Sequence, residues 1–335
     1  MVRVGIAGGS GYAGVELIRI LCRHPQSEIV WISSERHAGQ SVESLHPHLR
    51  GILPLRFSPL EELSGANLDA LFLSLPHGEA ARLVPNLPES WLVIDLSGDF
   101  RIQDPEIFQR YYGFPMAPEL QKDFVYGLSE LKRAALIGAR RVSNPGCFAT
   151  ATTLALFPLF AEGWVDGPVF VDAKTGSSGS GRTPGDGTHH PRRAQAFFPY
   201  KPFRHQHLPE ICEALNIASE QLVFQTYSAP MVRGIFASHY LRTKVPISSE
   251  RLEELFRKYY GDEPFIRWAG ESVDVGNVRH SNFVDIGGVT SGRSVIVWAT
   301  LDNLQKGAAG QAVQNFNLSL GFEETAGLRH PPAFP

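Results

Sequence analysis

One cysteine in this chain of 335 residues stands where a thiol could act as a nucleophile. Cys147 follows the turn Asn144-Pro145-Gly146 and opens an apolar, helix-like run at residues 148–154. At a helix start, a thiol faces unpaired N–H groups and the positive end of the helix dipole, which favour the thiolate near neutral pH. A small buried cysteine in a strand-to-helix turn is the alternative. Because the segments described below supply the partners that a reactive thiol needs, the sequence favours a catalytic cysteine.

A basic, histidine-rich stretch at residues 188–210 contains candidate partners for this thiol. His205 and Glu210 are five residues apart at a predicted helix start, so both side chains can project into one site without having to touch. The histidines of the stretch have no cysteine or carboxylate partner at a zinc-like spacing, so we expect no metal. The cations of the stretch are expected to attract a negatively charged substrate, and a solvated loop is the alternative.

The N-terminal residues have the order strand, glycine-rich turn and helix. Residues 1–7 are apolar and strand-like, and the apolar residues of 15–21 recur at helical spacing. Gly8, Gly11 and Gly14 lie in the turn, where a missing side chain allows a tight bend, close approach to a pyrophosphate and close helix packing. In this position the glycine pattern predicts a dinucleotide-binding site.

The end of the second predicted strand, residues 28–32, indicates which dinucleotide binds. The next residues are Ser33, Ser34, Glu35 and Arg36, and an NAD site usually places an acidic residue here to hold the ribose 2′-hydroxyl. Two hydroxyls and an arginine suit a 2′-phosphate better, so we expect NADP(H). Glu35 favours NAD instead, and the two serines could simply end the strand.

Further strands predict a doubly wound α/β sheet in the first half of the chain. Apolar strand-like residues at 68–75 and 91–96 flank a predicted helix at 79–84, which is the alternation of a parallel sheet. Loops at the carboxyl ends of such strands face the ligand. We therefore expect the loops at 74–78 and 97–101 to border the site.

Two residues of these loops are candidates for function. We interpret His77 as a residue that bonds the backbone. Arg101 could bind a phosphate or a carboxylate in a bidentate way, since its guanidinium presents parallel donors. The alternative for Arg101 is a salt bridge to Asp99 or Asp104.

The pattern changes after Cys147, where we expect a second domain with a mixed or mostly antiparallel sheet. Its predicted strands cover residues 168–174, 222–230, 235–243, 282–289 and 294–301. A glycine- and serine-rich loop follows the first of them, at 175–182.

A closing helix from Gln305 to Leu320 has one apolar face. We expect this helix to pack back against the first domain, which would leave Asn303 near the cofactor. The predicted domains are therefore 1–146, completed by a C-terminal helical segment at 304–335, and 147–303.

The composition is typical of a soluble globular protein. Hydrophobic residues make up 43% and charged residues 19%, and the net charge of −3 gives no reason to expect a nucleic-acid partner. Cys22, Cys147 and Cys212 are widely spaced, so they form neither a disulfide framework nor a CxxC metal site. We expect a cytoplasmic protein with neither an export signal nor a membrane segment.

Nine segments together resemble the N-acetyl-gamma-glutamyl-phosphate reductases of arginine biosynthesis and their sister enzymes of lysine biosynthesis, which reduce a carrier-bound 2-aminoadipate 6-phosphate. The segments span essentially the whole chain and are GGSGYAGVEL, LSLPHG, DLSGDFR, YYG, VYGLSEL, SNPGCFATA, HQHLPEI, PMVRGIFA and DNLQKGAAGQAVQNFNLSLGF. The resemblance implies a Rossmann dinucleotide-binding domain plus an α+β catalytic domain of the glyceraldehyde-3-phosphate and aspartate-semialdehyde dehydrogenase type. It also implies NADP(H) as cofactor and assembly into a homotetramer or homodimer.

The resemblance assigns roles to residues that match its motifs. Cys147 is the nucleophile, His205 the acid/base partner and Glu210 its support. Whether His205 or His207 acts stays open, and the family usually has His-Arg-His where this chain has His205-Gln206-His207. The nucleotide-binding segments are matched by Ser10, Gly11, Tyr12, Ala13, Ser33, Ser34, Glu35 and Asn303. As substrate contacts we expect Arg101, Asn144, Lys174 and His207.

The expected reaction is reduction of N-acetyl-gamma-glutamyl phosphate by NADPH to N-acetyl-glutamate semialdehyde, with release of inorganic phosphate and a thioester on Cys147. The alternative substrate is 2-aminoadipate 6-phosphate linked to an acidic amino-group carrier protein, and one enzyme could use both. Residues 306–328 and 144–147 resemble the arginine-pathway enzymes more, whereas 189–193 and 200–202 resemble the lysine-pathway enzymes. An NADP-binding redox sensor without turnover is a further alternative, but it would need neither the histidine stretch nor a separate substrate domain.

Overall fold

The structure, a computed structural model that describes residues 1–333, divides the chain into two units. The first unit comprises Met1–Pro145 and Ala308–His330, and the second comprises Gly146–Gly307 and the described residues from Pro331 on. The chain therefore crosses between the units after Pro145, after Gly307 and after His330, and the first two crossings lie one and four residues away from the predicted boundaries. Residues 334 and 335, which end the predicted C-terminal segment, lie outside the described residues.

Six parallel strands form the sheet of the first unit, in the order β2-β1-β3-β4-β6-β5. They are β1 Val2–Ala7, β2 Ser27–Ile32, β3 Ala70–Leu73, β4 Leu92–Asp95, β5 Val125–Tyr126 and β6 Arg141–Ser143. All residues of β3 and β4 are buried, and all except Asp95 are apolar, as expected for strands covered on both faces. Because β1 lies between β2 and β3, the strand order reverses at β1, and the loop after β1 opens at the point where such sheets bind ligands. The predicted doubly wound Rossmann sheet is confirmed.

Six helices connect these strands. They are α1 Tyr12–Leu21, α2 Val42–Leu45, α3 Glu79–Leu83, α4 Pro105–Tyr112, α5 Pro118–Gln121 and α6 Ser129–Leu136. Gly98 donates its N–H to His77 Nδ1 (2.9 Å), so His77 bonds the backbone as predicted. Asp99 and Asp104 are both engaged by backbone N–H groups, at the starts of α3 and α4.

Seven strands form a mixed sheet in the second unit, in the order β11-β12-β13-β10-β7-β9-β8. They are β7 Val169–Thr175, β8 Phe198–Tyr200, β9 Leu222–Ser228, β10 Ile235–Arg242, β11 Ile266–Gly270, β12 Val284–Ser291 and β13 Ser294–Leu301. The predicted α+β architecture is confirmed. The two edge strands, β8 and β11, were not predicted from the sequence, because neither has a buried residue and therefore neither shows the alternation that marks a half-buried strand.

Four helices belong to the second unit: α7 Cys147–Ala161, α8 His190–Arg193, α9 His207–Leu215 and α10 Ser249–Tyr260. α7 is apolar or threonine on nearly all sides and buried over most of its length, which is the composition of a central helix. Alternate residues of β7, β10 and β13 form the buried face of the sheet, and α7 packs on this face against β10 and β13. The opposite face carries exposed aromatic residues, among them Phe170 and Tyr240.

The closing segment differs from the single helix predicted over Gln305 to Leu320. Residues Gln305–Ala309 form a π-helical turn, and α11 follows at Gly310–Leu320. Gly321 ends α11 with a left-handed backbone (φ 70°), a conformation that glycine adopts at little cost. Residues 321–333 are turns and irregular structure, so the predicted helical segment at 304–335 was too long. Within residues 1–333, no helix has the length and apolar character that crossing a membrane requires.

Candidate active site

Cys147 is the first residue of α7, and its position follows from the turn that ends β6. Gly146 precedes it as N-cap with an extended backbone (φ −72°, ψ 147°). Cys147 is half-buried, whereas Cys212 is buried and burial raises the pKa of its thiol to about 12. Burial also raises the pKa of Cys22. Cys147 alone of the three stands at the N-terminus of a helix, where the N–H groups of the first turn are available to a negative charge.

The backbone before Cys147 is held by α9. Gly146 donates its N–H to Glu210 Oε1 at 2.7 Å, and Glu210 is buried. A Cβ at position 146 would overlap the imidazole of His207, so only glycine allows this approach. The sequence assigned Glu210 to the support of His205. In the structure Glu210 orients the residue next to the nucleophile, and its support of His205 stays a prediction.

The two histidines of the site lie against each other and against one phenylalanine. The ring centroids of His205 and His207 are 4.6 Å apart, and Phe148 packs edge-on against them at 5.4 and 6.0 Å. His207 donates its backbone N–H to His205 Nδ1 at 3.2 Å. Burial, and then the charge of Lys201, lower the pKa of His205 to about 3. A neutral ring whose Nδ1 accepts a hydrogen bond carries its proton on Nε2, so His205 can donate one hydrogen bond.

Tyr200 is a member of this site that the sequence did not single out. Its ring centroid lies 5.6 Å from that of His205. Burial, and then the negative charge of a Cys147 thiolate, raise the pKa of Tyr200, so its hydroxyl stays protonated. The residue lies on β8, an unpredicted edge strand, and only its place in the basic stretch could have indicated it.

Gln206 stands where the family usually has an arginine, and a lysine lies next to it. Lys201 donates from Nζ to Gln206 Oε1 at 2.9 Å. A cation therefore lies beside Gln206, and its charge reaches His205, whose pKa it helps to lower. Lys201 and Phe203 have left-handed backbones (φ 47° and 55°), which are uncommon for residues with side chains. The strained turn they form is the one that presents Lys201.

Lys174 is not brought together with Cys147. On β7 the buried residues alternate with Asp172 and Lys174, so Lys174 lies on the face of the sheet opposite α7. Its Nζ is 2.9 Å from Asp172 Oδ1. The expected substrate contact of Lys174 therefore has no support in the arrangement of the second unit.

Asn303 is buried within the second unit, where its amide connects two loops. Its Oδ1 accepts the N–H of Gly234 at 2.7 Å, and its Nδ2 donates to Ser178 Oγ at 3.0 Å. Asn303 thereby holds the glycine- and serine-rich loop next to the start of β10. Its predicted proximity to the cofactor stays a prediction.

The glycine-rich turn of the first unit has the form that the sequence predicts. Gly8 has a left-handed backbone (φ 85°), and a Cβ there would overlap the carbonyl of Ser74. A Cβ on Gly14 would overlap the backbone of Gly8, so α1 can start close beneath the turn. Gly11 is the N-cap residue of α1, which begins at Tyr12 and continues through Ala13. The turn is a cradle of backbone groups at a helix N-terminus, which suits a pyrophosphate.

The predicted nucleotide residues after β2 lie beside this turn. Ser33 Oγ accepts the N–H of Gly8 at 3.2 Å, and Ser34 Oγ donates to Ser10 Oγ at 2.9 Å. Glu35 points away from this cluster, because its Oε1 accepts the N–H of Leu60 at 2.7 Å. Arg36 is exposed.

Arg101 and Asn144 are buried partners in the first unit. Arg101 donates from Nε to the Asn144 carbonyl (2.8 Å) and from an Nη to the Leu96 carbonyl (2.7 Å). The Asn144 side chain donates to the carbonyl of Ala308 (3.1 Å) and accepts from Asn315 (3.1 Å). These contacts fix the backbone three residues before Cys147. Substrate contacts of Arg101, Asn144 and His207 stay predictions.

Within residues 1–333, no group of three or more histidine, cysteine or acidic side chains could hold a metal ion.

Two family models cover most of the chain. Residues 3–139 match the NAD binding domain of semialdehyde dehydrogenases, and residues 147–303 match their dimerisation domain. The first unit is therefore a nicotinamide-dinucleotide-binding domain.

Named proteins resemble the chain over its full length. It is 44% identical to the N-acetyl-gamma-glutamyl-phosphate reductase of Methanopyrus kandleri over 100% of both chains. It is 41% identical to a Thermomicrobium roseum protein provisionally named a LysW-linked L-2-aminoadipate 6-phosphate reductase, covering 100% of this chain and 99% of that one. Among solved structures, aspartate semialdehyde dehydrogenase II of Vibrio cholerae, complexed with ASA, has a TM-score of 0.73 at 17% identity and covers 95% of this chain and 98% of its own. That likeness concerns the fold.

We expect the His205 ring to stay neutral, with its proton on Nε2, from pH 8 down to about pH 5, because burial lowers its pKa to about 3. Nitrogen-15 NMR of histidine-labelled protein distinguishes the two tautomers and the charged ring, and the variant His205→Gln assigns the signal. An unperturbed histidine has a pKa of about 6.5. A His205 midpoint close to that ordinary value would contradict the assignment.

Proposed function

This chain belongs to the N-acetyl-gamma-glutamyl-phosphate reductase family of semialdehyde dehydrogenases, and from that premise we propose that it reduces N-acetyl-gamma-glutamyl phosphate with NADPH. The products are N-acetyl-glutamate semialdehyde, NADP and inorganic phosphate. The observation that carries the proposal is the arrangement around Cys147, a half-buried thiol at the start of α7 with a neutral imidazole in the same site. The three thiols that the structure records as free suit a reducing cytoplasm, where we place the reaction.

Cys147 acts as the nucleophile. Its thiolate attacks the acyl carbon, the bond from that carbon to the phosphate oxygen breaks, and phosphate leaves with the electron pair. The result is a thioester on Cys147, which divides one difficult reduction into two easier steps. The N–H groups at the start of α7 stabilise the oxyanion that develops during the attack, a contribution of roughly 3–4 kcal/mol in enzymes of this kind.

Bound NADPH supplies the hydride that reduces the thioester. The chain then has to stabilise the oxygen of the thiohemiacetal that forms on Cys147 and release the aldehyde. His205 Nε2–H and the protonated Tyr200 hydroxyl are the donors that the site offers for this oxygen. The negative charge of a bound acyl phosphate favours the imidazolium form of His205, so the complex can also use it as a proton donor.

The residues of the first unit fit NADP better than NAD. The turn formed by Gly8, Gly11 and Gly14 suits a pyrophosphate, and a Cβ would distort it, since one on Gly8 would meet the Ser74 carbonyl and one on Gly14 would meet the backbone of Gly8. Glu35 is the carboxylate that an NAD site would use, but it is engaged by Leu60. The exposed Arg36 supplies a cation that can pair with a 2′-phosphate.

NADPH should be preferred over NADH by about tenfold or more, because a charge-assisted contact contributes about 1.5–3 kcal/mol. Arg36→Ala should remove most of that preference, and kcat/KM for the two dinucleotides measures it. Arg50→Ala is the matched control, since Arg50 is also an exposed arginine of the first unit. Equal kcat/KM values for NADH and NADPH in the unchanged enzyme would overturn the proposal.

A carrier-linked 2-aminoadipate 6-phosphate is the second candidate substrate. The observation in its favour is the loop with α8, where His189, His190 and Arg192 are exposed. Such a surface can attract an acidic carrier protein over a long range. Arg193 does not belong to this surface, because it is buried and donates to the carbonyls of Ala196 and Ala229. Only part of the predicted basic loop is therefore available to a partner.

The substrate is tested in the oxidative direction, with NADP and phosphate, using free N-acetyl-glutamate semialdehyde and the carrier-linked semialdehyde. We expect kcat/KM to be at least as high for the free compound, with little dependence on salt. Cys147→Ser should abolish turnover of both compounds and retain NADP binding. Cys22→Ser should leave turnover unchanged.

A preference for the carrier-linked compound of about a hundredfold, lost in Arg192→Ala and at ionic strengths above about 0.15 M, would establish the alternative. Arg193→Ala is unsuitable for this purpose, because loss of its two carbonyl contacts would disturb the loop itself.

We also assign homodimer assembly to the open face of the second sheet. Phe170 and Tyr240 are neighbours across β7 and β10 and are 52% and 42% exposed. Phe236, Ile296 and Trp298 extend the apolar surface with partial exposure. Contiguous apolar surface of this kind marks an interface in soluble proteins. Pairing of two such faces, alone or within a tetramer, would cover the surface.

The double variant Phe170→Lys/Tyr240→Lys should shift the protein to monomers, because four lysines would meet across a two-fold interface. Sedimentation velocity measures the change. Ile137→Lys is the control, since Ile137 is similarly exposed (64%) but lies in the first unit. An unchanged oligomer in the double variant would place the interface elsewhere.

A further inference from the structure

Gly307 leaves no room for a side chain beside the nucleophile. A Cβ built on Gly307 would lie 2.7 Å from Cys147 Cβ, 3.2 Å from Leu301 Cδ1 and 3.3 Å from the Asp302 carbonyl oxygen. The first distance is far below a van der Waals contact, and Cys147 Cβ is attached directly to the backbone of α7. The backbone of Gly307 is not left-handed, so alanine could adopt its conformation. The requirement for glycine is therefore one of space.

The π-helical turn brings Gly307 to this place. Its N–H donates to the Asp302 carbonyl at 2.9 Å, five residues back, which is the spacing of a π-turn. Such turns insert one extra residue into a helical segment and occur often at functional sites. An α-helical turn at the same place would advance every later residue by about 100° around the axis.

Asp302 anchors the start of this turn. The carboxylate is completely buried and accepts from the N–H groups of Leu304 (2.9 Å) and His280 (2.6 Å). It also forms an ion pair with Arg233 (2.8 Å). With its oxygens engaged from three segments, Asp302 fixes the start of the turn relative to the segments that carry Arg233 and His280.

A second glycine limits Cys147 from the other side. Gly146 packs against the His207 ring without space for a side chain, while its N–H is held by Glu210. Movement of Cys147 away from an intruding group at 307 would therefore disturb the contacts of Gly146.

We propose that Gly307, held by the π-turn, is a positioning residue that sets where the Cys147 thiol stands relative to the first turn of α7. The close backbone packing that Gly307 and Gly146 allow fixes the position of the nucleophile from two sides. This inference rests on the proposed role of Cys147, although it does not depend on which acyl phosphate is the substrate.

The kinetic test compares Gly307→Ala with the unchanged enzyme. Because displacement of a reacting group by about 1 Å costs on the order of a hundredfold, we expect kcat to fall by about that factor with little change in KM for NADPH. Iodoacetamide labelling of Cys147, followed by mass spectrometry, should slow by about tenfold as the thiol leaves the helix N–H groups. Gly187→Ala is the matched control, because a Cβ there meets nothing within 4 Å.

A double-mutant cycle tests the contact without any substrate. Gly307→Ala should lower the midpoint of thermal unfolding, and most of this loss should disappear in Cys147→Gly, which removes the Cβ that the new methyl group meets. The double-mutant cycle and the labelling use no substrate, so their results test the proposal even if the substrate assignment is wrong. An equal loss of stability in both backgrounds, a full rescue by Leu301→Val, or kcat within about threefold of the unchanged enzyme would overturn the proposal.

Discussion

Exclusion of side chains from the backbone around Cys147 is the constraint on which the candidate site depends. Gly146 donates its N–H to Glu210 while the His207 ring fills the space that a Cβ at position 146 would need, so a larger residue would not fit there. That hydrogen bond connects the residue before α7 to α9, which also carries His207 in its first turn. The thiol, the carboxylate and the imidazoles are thus positioned by backbone, which is more rigid than contacts between flexible side chains.

In the first unit, glycines also allow close backbone packing, there beside a site for a different ligand. Gly8 and Gly14 bring a carbonyl and a helix start within a distance that a methyl group would forbid. In the first unit this close packing shapes a turn at a helix start that suits a pyrophosphate, and in the second it fixes the backbone beside a thiol. Both glycine turns lie where a strand ends and a long helix begins. The N–H groups at the start of the helix therefore point at the place where negative charge has to be held.

Burial distinguishes two kinds of cation among the residues named above. Arg101 and Arg193 are buried and donate to backbone carbonyls, so they hold loops in place. Lys201, Arg36 and Arg192 are exposed and can meet anionic groups of a substrate, a cofactor or a partner. The same burial keeps His205 neutral in the free protein, which makes it a hydrogen-bond donor until a bound phosphate changes its surroundings.

The amino-acid sequence alone determined the two architectures, the glycine turn after β1 and the position of Cys147 at a helix start. These features depend on local patterns: apolar periodicity, residues without a side chain, and the order of strand, turn and helix. Only the tertiary structure decided what the long-range neighbours do. It turned Glu35 toward Leu60, Glu210 toward Gly146 and Lys174 to the far face of its sheet, and it brought Tyr200 and Gly307 into the site. Such contacts join residues that are distant in the chain, and which of them form depends on the packing of whole elements, which no local pattern encodes.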